Sequence, residues 1–104
     1  MKKLEQMKIN QKVEEMQDEC FKELFHYNSY FPKQLDSCHA WIKETENFII
    51  LKSYNTVIAC INKNNNTLYD FLRLAYGYTA TSAKHIAKFR NRYKVSAEYT
   101  YRDC

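Results

Sequence analysis

The apolar positions in the first quarter of the chain recur at helical spacing. Ile9, Val13, Met16, Cys20 and Leu24 fall three or four residues apart on one face, and Phe21 and Phe25 widen that stripe. One amphipathic helix over residues 2–27 is predicted, with Asp18 and Lys22 four apart supporting it. Pro32 then pushes Phe31 toward an extended conformation. A shorter second helix is predicted from about Lys33 to Glu46, with Leu35, Cys38 and Ile42 as its apolar face and Trp41 beside it. At Asn47 the pattern changes. "FIILKSYNTVIACI" is rich in β-branched residues and predicts either one bent strand or two strands broken near Asn55. "NKNNN", residues 62–66, predicts a turn, because asparagine tolerates the left-handed region. "TLYDFLRLAY" alternates and predicts a return strand ended by Gly77, although the same run could form a short helix.

Helical spacing returns with Ala83, Ile86, Ala87, Phe89 and Tyr93, predicting a helix from about Thr81 to Tyr93 capped by Thr79, Thr81 or Ser82. "VSAEYTYR" then reads as a closing edge strand. The expected fold is a single α+β domain over residues 1–104, with a helical part (1–46) and a strand–hairpin–helix–strand part (47–104). Two N-terminal helices and one basic helix would pack on one face of a small antiparallel sheet made of the hairpin and the C-terminal strand.

Composition narrows this picture. One glycine and one proline leave asparagine and aspartate to serve most turns. Residues 1–47 carry seven Lys/Arg against nine Asp/Glu, whereas residues 48–104 carry nine against three. Phe71 to Ala97 contains no acid, which favours an anionic partner or an acidic protein surface and argues against an acidic mimic of DNA. No apolar run reaches the length of a membrane span, and no apolar core follows the N-terminal lysines, so a cytoplasmic protein is expected. Its four cysteines are then expected as free thiols.

Three constellations bear on chemistry. In the basic helix, Lys84, Lys88 and Arg92 form an outward stripe flanked by Arg90 and Lys94, with Tyr76 and Tyr78 beside it and Tyr99 and Tyr101 on the last strand. Such a surface suits a protein partner, a phosphate backbone or plain solvation. Its single amide, Asn91, argues against reading of base edges. Cys20 and Cys38 fall on the apolar faces of the two expected helices, so with His39 they could form a zinc site. The absence of C-x-x-C and H-x-x-x-H spacing leaves inert buried thiols as the alternative. No glycine-rich phosphate loop and no G-x-S-x-G elbow is present, so neither an enzyme nor any other cofactor is expected.

"SYNTVIA" (Ser53 to Ala59) and "GYTATSAKHIAKF" (Gly77 to Phe89) together resemble a small phage-borne domain of unknown function. That family joins an S-Y-x-T-x-V-A strand motif to an aromatic-Ser/Thr-x-Thr segment and a helix opening with His-Ile. The matching residues here are Ser53, Tyr54, Thr56, Val57 or Ile58, Ala59, Tyr78, Thr79, Thr81, His85 and Ile86. The resemblance implies a mobile-element origin. It suggests an anti-CRISPR type of activity, in which the protein binds a host RNA-guided nuclease stoichiometrically and blocks DNA loading or cleavage. The alternative is a small regulatory protein that binds nucleic acid through the basic helix.

Overall fold

The computed structural model describes residues 2–26, 30–36, 38–76 and 79–103. A long helix, α1 (Lys2–Phe25), is followed by strands β1 (Lys33–Gln34), β2 (Ala40–Glu44), β3 (Phe48–Ser53), β4 (Thr56–Asn62) and β5 (Thr67–Asp70). Two helices, α2 (Leu72–Tyr76) and α3 (Ala80–Tyr93), then lead to β6 (Ala97–Thr100). Neighbouring strands pair in sequence order, β1-β2-β3-β4-β5-β6, among the described residues. Pairing is antiparallel as far as β5, but β6 lies parallel to β5. The two helices between β5 and β6 return the chain to the starting end of the sheet, which a hairpin could not do.

Adjacent residues of a strand point to opposite faces, and the core divides accordingly. Ile42, Leu51, Ile61 and Leu68 pack with Ile86 and Phe89 of α3. Their neighbours Ile50, Cys60 and Tyr69 pack with Val13 and Cys20 of α1. The helices therefore cover both faces of the sheet rather than one. The large number of aliphatic residues in β3 and β4 explains this: "FIIL" and "VIACI" are apolar on both sides, so each side needs a cover.

The second expected helix is absent. Leu35, Cys38 and Ile42 do share one core, but they reach it by chain reversal. The Leu35 N–H donates to the Ala40 carbonyl at 2.8 Å, Asp36 takes φ 53°, and β2 continues as an alternating strand. The helical part therefore ends with α1. The Asn55 break is a tight hairpin turn, with Ser53 paired to Thr56, and residues 63–66 form the second turn. Only Thr67–Asp70 of the expected return strand is extended. The Asp70 carboxylate caps α2 by accepting from the Leu72 N–H at 3.0 Å, so the chain becomes helical there. Phe25, expected on the apolar stripe, is 87% exposed.

Candidate functional site

The residues with the most distinctive geometry meet where the β3–β4 turn reaches the N-terminal half of α3. Thr79 caps α3, its hydroxyl accepting from the Ser82 N–H at 3.2 Å. Helical spacing then puts Ser82, His85, Ile86 and Phe89 on the buried side. Ser53 ends β3 on the same side as Leu51 and meets them. Its hydroxyl lies 2.7 Å from His85 Nδ1 and 3.0 Å from the Ser82 hydroxyl, and all three side chains are buried. Burial, and then the charge of Lys88 and the neighbouring His39, hold the His85 imidazole below its ordinary pKa. A neutral ring hydrogen-bonded to Ser53 follows near neutral pH.

Above this cluster sits Tyr54. It is the first of the two turn residues, and its φ is 54°, in the left-handed region that glycine, asparagine or aspartate ordinarily fill in tight hairpins. Its ring is 47% exposed. It stacks on His39 with centroids 5.3 Å apart and tilts against His85 at 5.8 Å. Trp41 stands 6.3 Å from His39. A groove of about 460 Å³ beside the ring is lined by Ser53, Tyr54, Asn55, Thr56, Thr79, Thr81 and Ser82. Six of the residues that carried the motif resemblance therefore stand at one end of the sheet: Ser53, Tyr54, Thr56, Thr79, Thr81 and His85.

The basic stripe is only partly available. Lys84 and Lys88 are exposed, and among the described residues neither has an ion-pair partner. Arg90 instead forms a two-point bond with Glu98 of β6, its Nη2 lying 2.9 Å from Oε2. That bond raises the guanidinium pKa further. Arg92 stands 3.9 Å from the Asp36 carboxylate. Lys94 is exposed and ends α3 in a left-handed conformation. Tyr76 is the last residue of α2, and Tyr78 lies outside the described residues. Tyr99 and Tyr101 do not join the stripe. Tyr99 packs against Tyr69 and Tyr101 against the core on the α1 side.

The proposed metal pair does not come together. Cys20 packs in the α1-side core, whereas Cys38 is not helical and packs on the α3 side, its thiol donating to the Leu35 carbonyl at 2.8 Å. His39 is engaged with Tyr54. Among the described residues no group of three His, Cys, Asp or Glu side chains is arranged to hold a metal ion. The thiol beside Cys20 is that of Cys60. Burial, and then the Cys20 side chain, push the Cys60 thiol well above its ordinary pKa, so it stays protonated and inert.

In the sequence His85 stands out only as a motif residue, with no partner indicated. The i, i+3, i+7 spacing of Ser82, His85 and Phe89 was the available signal that the imidazole turns inward.

Fold and site together define a small α+β domain with a six-stranded, mostly antiparallel sheet and a polar cluster under an exposed aromatic turn. The chain belongs to the family of unknown function DUF8033, whose pattern it matches over residues 3–104. The family therefore takes in α1 and β1–β2 as well as the motif region. No curated protein and no solved structure matches the chain. None of the described helices is long and apolar enough to cross a membrane.

Proposed function

We propose that this protein is a non-catalytic binding module that docks on an acidic protein surface with the Tyr54 end of its sheet. The observation that carries this reading is the Tyr54 turn. A residue with a Cβ held in the left-handed region costs about 1–2 kcal/mol, and asparagine less. Asn55 stands next to Tyr54, yet the strained position holds the aromatic residue and presents its ring to solvent between two imidazoles. Strain of this kind gathers at functional sites, and tyrosine and tryptophan dominate interface hot spots. Lys84 and Lys88, in a segment without acids, supply the complementary charge.

Two further observations bear on the class of partner. With Arg90 on Glu98 and Arg92 near Asp36, three lysines remain of the five-residue stripe, few for tracking a phosphate backbone. Ser53 has no solvent exposure, so its hydroxyl cannot reach a substrate as a nucleophile; this supports binding over hydrolysis. A nucleic-acid-binding regulator is the second reading, favoured by the exposed Lys84 and Lys88.

In its specific form, the proposal makes the partner a host RNA-guided defence nuclease, inhibited stoichiometrically. Support comes from the phage-type motif, of which Ser53, Tyr54, Thr56, Thr79 and Thr81 line this same groove. The test is co-elution with a panel of guide-loaded nucleases, with DNA cleavage followed against molar ratio. Inhibition should be complete near equimolar protein and should be lost in Tyr54→Asn and in Lys84→Glu/Lys88→Glu. Failure to co-elute with any member removes the nuclease as partner. Full inhibition by both variants removes this surface.

A further inference from the structure

On the α1 side of the sheet, three sulfur-bearing side chains share one patch of the core: Met16, Cys20 and Cys60. Helical spacing places Met16 and Cys20 one turn apart on the inner face of α1. Alternation along β4 places Cys60 and Asn62 on the face of the sheet that α1 covers. One helical turn of four residues advances about 6 Å, and two strand residues advance about 6.6 Å, so the two pairs meet rung to rung. Asn62 Nδ2 lies 3.8 Å from Met16 Sδ, and the Cys60 thiol is hydrogen-bonded to the Cys20 side chain. Neither thiol has any solvent exposure, whereas Met16 is half-buried.

The donors in this patch are all soft. The Cys20 thiol gives its proton to the Gln17 carbonyl at 3.3 Å, so its sulfur is the acceptor in the pair with Cys60. Among the described residues no His, Asp or Glu joins the two thiols to make a group of three, which does not suit the four-donor sites of zinc. Thiolate and thioether donors select a soft monovalent ion, copper(I) foremost. Exchange of one thiol proton for a monovalent ion leaves the charge of the core unchanged, so no net charge has to be buried. The Glu23 carboxylate, whose charge is felt at Cys60, adds an attraction for a cation. Burial keeps Cys60 from acting as a nucleophile, but Met16 supplies a way in. Its flexible thioether leads from the surface to Cys20, one turn on.

We infer that Met16, Cys20 and Cys60 form a buried site for copper(I), with the two cysteine sulfurs as principal ligands and the Met16 thioether as the third. The bound ion ties α1 to β4. Metal and fold are therefore linked: the ligands come together only when the helix lies on the sheet, and binding stabilises the folded chain. The site is on the face of the sheet away from α3 and does not depend on the Tyr54 surface.

The experiment is anaerobic titration of the intact, reduced protein with copper(I) held by a coloured chelator of known affinity. It is followed by the chelator's loss of colour and by thiolate-to-copper charge transfer in the near ultraviolet. Binding of a single ion per chain is expected, with a rise in melting temperature. Cys20→Ala and Cys60→Ala should each abolish the charge-transfer band. Met16→Leu keeps the volume of the side chain, so the metal-free protein should melt as wild type does while copper affinity falls about tenfold. That variant carries the test if the cysteine variants do not fold. Cys38→Ser/Cys104→Ser, which removes the other two thiols of the chain, should leave affinity within about twofold. No transfer of copper from the chelator, or binding that survives either alanine substitution, would overturn the inference. So would unchanged affinity in Met16→Leu, or binding lost in Cys38→Ser/Cys104→Ser.

Discussion

Behind α1 the sheet buries two thiols, Cys20 and Cys60; behind α3 it buries an imidazole and two hydroxyls, those of His85, Ser53 and Ser82. Each side has an aliphatic and aromatic core. On the α1 side the strongest polar bonds sit at the rim, where Glu23 accepts from Thr45 and from both nitrogens of Asn47. Gln6 and Asn10 there bind the backbone of Thr100 and Arg102 and cover the outer edge of β6. On the α3 side the Ser53, Ser82 and His85 bonds lie inside, while the Arg90–Glu98 pair stands at the rim. A buried polar group that loses its partner costs more than a buried thiol does, so the α3 side fixes one arrangement of helix and turn. The arrangement it fixes is the one that holds Tyr54 outward.

The largest effect should come from emptying a core. Phe89→Ala is expected to lose about 3–5 kcal/mol in urea unfolding. That would show the α3 side to be cooperative with the rest; a separate early transition would divide the two sides. Next, Ser53→Ala should cost about 1–3 kcal/mol, because it leaves His85 Nδ1 without its partner. Cys20→Ala, which removes only a thiol, should cost less; the reverse order would mean that the buried polar cluster does not fix the α3 side.

The two sides should also titrate separately. His85 has a folded pKa below its ordinary 6.5. The unfolded chain therefore takes up the proton first, so stability is fully present above that value and falls as pH drops through it. Glu23 is held below its ordinary 4.5: burial raises it, but the bonds from Thr45 and Asn47 and the charge of Lys63 outweigh that. Its contribution is present above 4.5 and is lost as pH falls through the depressed value. In thermal melts against pH, His85→Gln should flatten the first decline and Glu23→Gln the second. The smallest stability effect belongs to Tyr54→Asn, expected within about 1 kcal/mol of wild type because relief of φ strain offsets lost stacking. Loss of binding without loss of stability at that position would mark a ring kept for recognition.

Much of the apolar architecture was legible in the sequence. The α1 stripe is uninterrupted, and the change of period at Asn47 and the asparagine turn mark β3, β4 and their neighbours. Residues 33–46 misled because Leu35, Cys38 and Ile42 keep helical spacing while converging through a reversal at Asp36. Hydropathy also hid the site. Ser53, Ser82 and His85 count as surface residues until their spacing beside Leu51 and Phe89 is considered. Nothing local announces that Arg90 will be claimed by Glu98, eight residues on and across a chain reversal. The strained φ of Tyr54 is a property of the finished hairpin.

The most direct test of the central claim, that the Tyr54 end meets protein and not phosphate, is fluorescence anisotropy of labelled duplex DNA, single-stranded DNA and RNA at two salt concentrations. Weak binding is expected, with a shallow salt dependence of about three counterions at most and no change in Tyr54→Asn. Tight binding that falls steeply with salt and disappears in Lys84→Glu/Lys88→Glu would contradict it and make α3 a phosphate-contacting helix.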